Sequence, residues 1–383
     1  MKIRETWPRW IGHATAAASL GYGALGVVWA LGGPGFPFGR GDAELVAAGE
    51  NGLAASLLGA ATARVGGPVI ALTGVLGACA ALAMARGWGR DRGQTWRRLL
   101  TGFGLVTAVV LAVLIPDYRV LVVVAYTPIL AVTLPFGFPA GQSYLDLVSW
   151  PRINLILLVA LGIAWAATTV AYRRRTSGTC GNCGRGSDGT ATWTTAASAA
   201  RWGRWATWIA FATPFVYAAT RWAWALGIPL GITDEFLREG EENGMWIAGA
   251  TLATMGAGGA VLTLGLIQGW GEVFPRWMPG LRGRRVPISL ATVPAALVAI
   301  LVTEAGLMYV RMVALQGVTA DSWATTLPET VWPVWGVALG AAALAYHLRR
   351  RGGCRHCGAG VPHREEVGPG SAGLTLRTPG TTD

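Results

Sequence analysis

Four of the five cysteines form two matched pairs, Cys180-Gly181-Asn182-Cys183-Gly184 and Cys354-Arg355-His356-Cys357-Gly358. In such a knuckle both sulfurs can converge on one ion, and the glycine after the second cysteine permits the tight turn. Four thiolates make a closed tetrahedral set, which suits structural zinc; catalytic zinc keeps a position open. The pairs lie 174 residues apart, so a shared site requires the fold to join distant segments. Two redox dithiols, or four solvated thiols without a ligand, are the competing readings. A thioredoxin-like dithiol expects a strand–helix context, whereas each knuckle follows an apolar run and an arginine cluster, and a reducing cytosol disfavours a permanent disulfide. Haem attachment is excluded because glycine, not histidine, follows each second cysteine. The expected zinc ligands are Cys180, Cys183, Cys354 and Cys357, with His356 and His363 as nearby substitutes. Cys79 reads as a small buried residue within an apolar run.

A second set of reactive groups falls inside or beside apolar runs: Asp117, Arg119, Arg221, Glu304 and Arg311. Ionisable groups at membrane depth are costly and mark function by default. Counting helix rise from Arg98 to Asp117 and from Pro287 to Glu304 gives about 25–28 Å, which places both acids toward the outer side of a bilayer. Arg221 falls at a similar height. The expectation is an ion pair between Arg221 and Glu304, with Asp117 pairing to Arg119 or Arg221. Interhelical ion pairs near the outer interface are one reading of this set, and a substrate or proton path is the other. His13 reads as a residue of the membrane interface. The sequence contains no Gly-rich phosphate loop, nucleophile elbow or His-Glu-x-x-His, so a membrane enzyme ranks behind non-enzymatic readings.

The elements that must position these groups are apolar. Of 383 residues 52% are hydrophobic and 13% charged, against about a quarter charged in a soluble domain. Apolar runs cover residues 11–31, 69–85, 99–115, 120–134 and 153–171, then 206–226, 245–267, 288–315 and 331–346. Several approach the roughly 20 residues that span a hydrocarbon core. The first is followed by a Gly/Pro/Phe segment rather than a cleavage site and is expected to be a retained helix. A net charge of +11 suggests nucleic acid, but the arginines flank apolar runs, which is the positive-inside pattern of a membrane protein.

The chain also repeats itself. Trp7-Pro8-Arg9-Trp10 and Trp29-Ala30-Leu31-Gly32 return as Trp202-Gly203-Arg204-Trp205 and Trp224-Ala225-Leu226-Gly227, at one constant offset. Ala171-Tyr172 and the first knuckle return, at another, as Ala345-Tyr346 and the second knuckle. Gly87-Trp88-Gly89 has its counterpart in Gly269-Trp270-Gly271, and residues 112–117 align with 299–304, matching Asp117 to Glu304. Arginine clusters occupy the N-terminus, residues 86–98, 173–204, 276–285 and the stretch after 349, while the acids gather at 32–52, 137–150, 227–244 and 316–330. Placing the arginines in the cytoplasm gives four crossings per half and both termini inside. The predicted fold is an all-α polytopic membrane bundle of two parallel four-helix repeats, about eight transmembrane helices, with paired cytoplasmic Cys-x-x-Cys knuckles. Residues 1–186 and 201–360 are the repeats, 187–200 the linker, and 361–383 a disordered tail. The third element of each half is expected to cross once, with an apolar re-entrant or outer-surface extension. Terminal tryptophans, Trp29 and Trp224 among them, are expected to anchor the interface, and Gly336-x-x-x-Gly340 permits close helix contact.

Trp-Ala-Leu-Gly after the first helix, Pro-Asp-Tyr-Arg in the third and the Arg-rich Cys-x-x-Cys ends together resemble multi-pass integral membrane proteins of actinobacteria, streptomycete-like in composition and without a functionally defined family. The resemblance is consistent with this architecture and transfers no catalytic residue; the expected location is the cell membrane. The expected function is a transporter or channel-like protein with a cavity between the repeats and a structural zinc clamp. The alternative is a non-catalytic scaffold or regulator whose zinc knuckles bind a cytosolic protein. The expected surroundings are the lipid bilayer, without nucleic acid.

Overall fold

The computed structural model describes residues 3–47, 52–89, 93–133, 147–186, 191–354 and 356–359. These are helical or irregular; beyond one isolated bridge between Val273 and Arg285 the described residues contain no strand. In chain order the α-helices are α1 (Ile3–Ala30), α2 (Ala43–Ala47), α3 (Gly52–Ala55), α4 (Ala63–Ala85), α5 (Gln94–Val109), α6 (Tyr118–Thr133), α7 (Trp150–Thr176), α8 (Ala196–Ala212), α9 (Pro214–Ala225), α10 (Asp234–Glu242), α11 (Met245–Thr263), α12 (Ile288–Gln316) and α13 (Trp332–Arg350). Seven helices among the described residues are long and apolar enough to cross a membrane: α1, α4, α5 with its extension to Leu114, α7, α11 with its extension to Leu266, α12 and α13. The chain is therefore a multi-pass membrane protein in contact with lipid.

Local chemistry sets the ends. Helix α7 starts at Ser149, whose hydroxyl accepts from the Arg152 amide, has Pro151 in its first turn, and ends on Arg173, Arg174 and Arg175, which complement the helix dipole. The apolar run 206–226 becomes two helices, α8 and α9, meeting at Thr213-Pro214. Pro214 has no amide hydrogen to complete the ladder, so neither piece is by itself long enough to cross. Ahead of α8 a 3₁₀ turn forms at Thr192–Thr194, and the Thr195 hydroxyl caps the helix. The third elements of the two halves differ. Helix α5 passes into a π-helical turn at Val110–Leu114 and stops before Pro116, after which α6 is separate. Its counterpart α12 runs unbroken for 29 residues.

Small residues bring the helices together. A side chain on Gly26 would strike the backbones of Ala71 and Gly67, and one on Gly74 those of Gly23 and Ser19. Helices α1 and α4 thus touch backbone to backbone, the contact that drives helix association in lipid. Gly336 leaves room for the Ala299 carbonyl and the Thr303 side chain, so the Gly336-x-x-x-Gly340 motif does pack α13 on α12. Between α1 and α7 the glue is polar: Thr15 to Thr168 (2.9 Å), Tyr22 to Asn154 (2.8 Å), and Trp165 to Ser19 (3.3 Å). Helix α1 packs on α4 and α7, and α5 on α7; in the other half α9 packs on α11, α8 on α13, and α12 on α13. The halves meet where α12 packs against α6, the π-helical turn and α3. Leu301 of α12 enters the core formed by Val120, Leu155, Leu158 and Val159.

Three expectations require correction. Trp29 (2% exposed) and Trp224 (3%) are core residues rather than belt anchors. Trp29 stacks edge-on with Tyr22 and Phe36, drawing the following loop onto the bundle, while Trp224 donates to the Leu230 carbonyl. Cys79 is exposed on α4, on a face it shares with exposed Val75 and Leu76. Arg221, third, pairs with Glu329 and not with Glu304. Residues 361–383, His363 and most of 137–150 lie outside the described residues.

Candidate metal centre and intramembrane polar groups

Two polar layers sit at opposite ends of α7. From Arg152 to Arg174 the helix rises about 33 Å, close to one hydrocarbon thickness. At the Arg174 end lies the first knuckle. The Cys180 amide donates to the Arg185 carbonyl (2.9 Å) and the Gly184 amide to the Cys180 carbonyl (2.8 Å). Gly184 adopts φ +71°, a left-handed turn that favours glycine. The Arg185 amide points at the Cys183 sulfur (3.5 Å). Arg174 donates to the carbonyls of Gly181 (3.2 Å) and Asn182 (2.9 Å), fixing the loop to the helix that precedes it.

The chain divides after Arg351, and the short C-terminal unit contains the second knuckle. It is built on the same bonds: Cys354 amide to Ala359 carbonyl (3.0 Å), Gly358 amide to Cys354 carbonyl (2.8 Å), and Gly358 at φ +71°. None of the four cysteines is in a disulfide. The sulfurs of Cys180, Cys183, Cys354 and Cys357 all lie within 4.8 Å of one another. A tetrahedral zinc with Zn–S bonds of about 2.3 Å separates its sulfurs by about 3.8 Å, so this cluster could hold one metal ion such as zinc. His356 is exposed and is not part of the cluster. Within the membrane unit, the Arg185 guanidinium donates to the Arg351 carbonyl (3.3 Å), and Arg351 donates to Thr194 (3.1 Å). Burial lowers the pKa of Arg351, and so does neighbouring Arg185, while Cys183 opposes the shift.

The other layer centres on Arg119. Its guanidinium grips Asp117 through Nε (2.9 Å) and Nη2 (2.7 Å), and Asp42 through Nη1 (3.0 Å) and Nη2 (2.7 Å). Glu44 lies 3.5 Å from Arg119 and accepts from Arg152 (2.9 Å). Arg119, Asp117 and Asp42 are all buried. Burial acts to raise the pKa of Glu44, but hydrogen bonds from Ser149 and Arg152 and the charges of Arg152 and Arg119 outweigh it and hold the carboxylate below its ordinary value. Arg311 donates to the carbonyls of Ala54 (3.0 Å) and Ala55 (2.7 Å) at the end of α3.

The expected pair between Arg221 and Glu304 does not form. Arg221 bonds Glu329, just before α13, and also the Ala324 carbonyl (2.8 Å); its guanidinium lies over the rings of Tyr217 (4.4 Å) and Trp224 (4.3 Å). Glu304 is 1% exposed, and neither carboxyl oxygen has a hydrogen-bond partner among the described residues. Asp117 is near enough to act on it electrostatically, so the two acids aligned in sequence do share one region, at the seam between α12 and the π-helical turn. Sequence reasoning missed Asp42, Glu44 and Glu329 as members of these clusters, having placed them in outer loops. Phe36 and Phe38, buried aromatics within a Gly/Pro segment, were the available signal that the first loop folds inward.

No protein-family model, curated protein or solved structure matches the chain.

Proposed function

We propose that this chain is a transporter or channel-like membrane protein of two parallel four-helix repeats, clamped at the cytoplasmic end by one structural zinc. Glu304 carries the transport reading. A carboxylate buried without a partner is too costly to stay ionised in a dry seam, so this group holds a proton while the seam is closed and releases it when the seam opens. Asp117, across the seam, is near enough to act on it, while the cations Arg119 and Arg311 are engaged elsewhere. The seam is thus a place where a proton is held between two bundles that can move apart.

The convergence of four thiols supports the clamp. Four cysteines with no further ligand among the described residues suit zinc in a closed site, and the ion would neutralise sulfurs otherwise crowded within a few ångströms. In support of the repeats, Tyr172 donates to the Trp88 carbonyl (2.7 Å) and Tyr346 to the Gly271 carbonyl (2.6 Å), so the duplicated Ala-Tyr and Gly-Trp-Gly motifs bond each other in both halves. The joined pair α8–α9 supplies the eighth crossing. Arginine clusters at the knuckle end support a cytoplasmic location for both termini, and the actinobacterial resemblance accords with the cell membrane. A second reading, a scaffold that offers its knuckles to a cytosolic protein, is favoured by the close packing of the same seam around Leu301.

Zinc analysis of the purified protein should give about one equivalent per chain, lost in Cys180→Ser and equally in Cys354→Ser. Full metal content in Cys354→Ser would refute a shared site. In liposomes under an imposed potential, zinc-loaded wild type should move protons and Glu304→Gln should not, with zinc content unchanged. Silence of the wild type, or full activity of Glu304→Gln, would overturn the transport reading; the first result favours the scaffold.

A further inference from the structure

At the knuckle end of α5 and α7 an open groove of about 420 Å³ is lined by Arg97, Arg98 and Arg173, with Thr101, Gly102 and Leu105 leading up the helix. Arg97 is fixed: it donates to the carbonyl of Thr176 (2.6 Å) and so ties the first turns of α5 to the last turn of α7. The guanidinium groups of Arg98 and Arg173 differ. Both residues are exposed, and neither guanidinium has a hydrogen bond or ion pair among the described residues. Three cations therefore converge on one groove without an acid among its lining residues. A side chain on Gly102 would meet nothing within 4 Å, so the groove floor is open where an arginine-bound group would continue along α5. From Leu105 in its lining α5 continues with Val106 and Val109, and Leu99 and Trp96 flank the cationic end, all of them exposed.

We propose that this groove binds the headgroup of an anionic phospholipid, with the acyl chains lying along the exposed face of α5. Arginine forks match phosphate oxygens in geometry and charge, and basic pockets between membrane helices are recognised lipid-headgroup sites. The apolar track starting at the cationic end selects a lipid over a soluble anion, because a free phosphate would gain nothing from Leu105 or Val106. The inference requires only that α5 and α7 cross a membrane; it stands whether or not Glu304 moves a proton.

The test is native mass spectrometry of the full zinc-loaded chain, released from detergent containing equal phosphatidylglycerol and phosphatidylcholine. Wild type should retain phosphatidylglycerol at least tenfold over phosphatidylcholine. Arg98→Gln with Arg173→Gln should reduce that preference at least tenfold, whereas the charge-matched pair Arg282→Gln with Arg284→Gln should leave it intact. Equal losses in both variants would show general surface charge and overturn the site, as would an unchanged preference in the groove variant. Millimolar inorganic phosphate should leave the lipid in place; displacement by phosphate would assign the groove to a soluble anion and overturn the lipid reading. Circular dichroism and zinc content identify any variant that has failed to fold, and single Arg98→Lys and Arg173→Lys substitutions, which keep the charge but lose the fork, then give a graded loss or refute the reading.

Discussion

Replacing Arg221 by methionine removes the cation from a site where Glu329 is 2% exposed and Arg221 itself 11%. Breaking one side of a buried pair costs about 3–5 kcal/mol, and losing the two ring contacts, at 4.4 and 4.3 Å, adds about 0.5–1 kcal/mol each. About 4–7 kcal/mol is therefore expected for Arg221→Met. Glu329→Gln keeps the volume and one acceptor and leaves Arg221 its carbonyl and its rings, so about 2–3 kcal/mol is expected. The double variant no longer strands a charge, and its loss should fall short of the sum by about 2–3 kcal/mol. Reversible unfolding in mixed micelles, followed by circular dichroism, measures the cycle. The same cycle run with Glu304→Gln in place of Glu329→Gln should be additive within about 0.5 kcal/mol. Additivity with Glu329, or coupling with Glu304 as large as that expected for Glu329, would refute the assignment of partners.

Arg119→Met strands Asp117 and Asp42 together and should destabilise the protein by about 3–5 kcal/mol, read from the same unfolding assay. Gly74→Leu forces apart two helices that touch by backbone and should cost about 1–3 kcal/mol; an unchanged midpoint would mean that α1 and α4 are not in that register. Glu44 has a depressed pKa in the folded protein, so its stabilisation is fully present above its ordinary value near 4.5 and is lost as pH falls through the lower folded value. The stability gap between wild type and Glu44→Gln should accordingly close below about pH 4.5, and a gap constant from pH 6 to 3 would contradict the network around Glu44.

Sequence by itself determined the helical membrane class, most of the helices long and apolar enough to cross, the matched knuckles and several of the groups buried in apolar surroundings. Each is a local property: twenty apolar residues, a spacing of two between cysteines, arginines beside a hydrophobic run. Helix rise also placed Arg221 and Glu304 at similar height. Height is not direction. Which way a side chain points depends on the rotation of its helix about its own axis, and packing sets that rotation. Leu301 turns one face of α12 into the first half and carries Glu304 with it, while the segment before α13 brings Glu329 to Arg221. Asp42 reaches Arg119 only because Trp29, Phe36 and Phe38 pull an apparently outer loop into the core. The thiols behave alike: each knuckle is local and was legible as such, but the approach of four sulfurs to within 4.8 Å joins segments 174 residues apart, and only the tertiary structure brings them together.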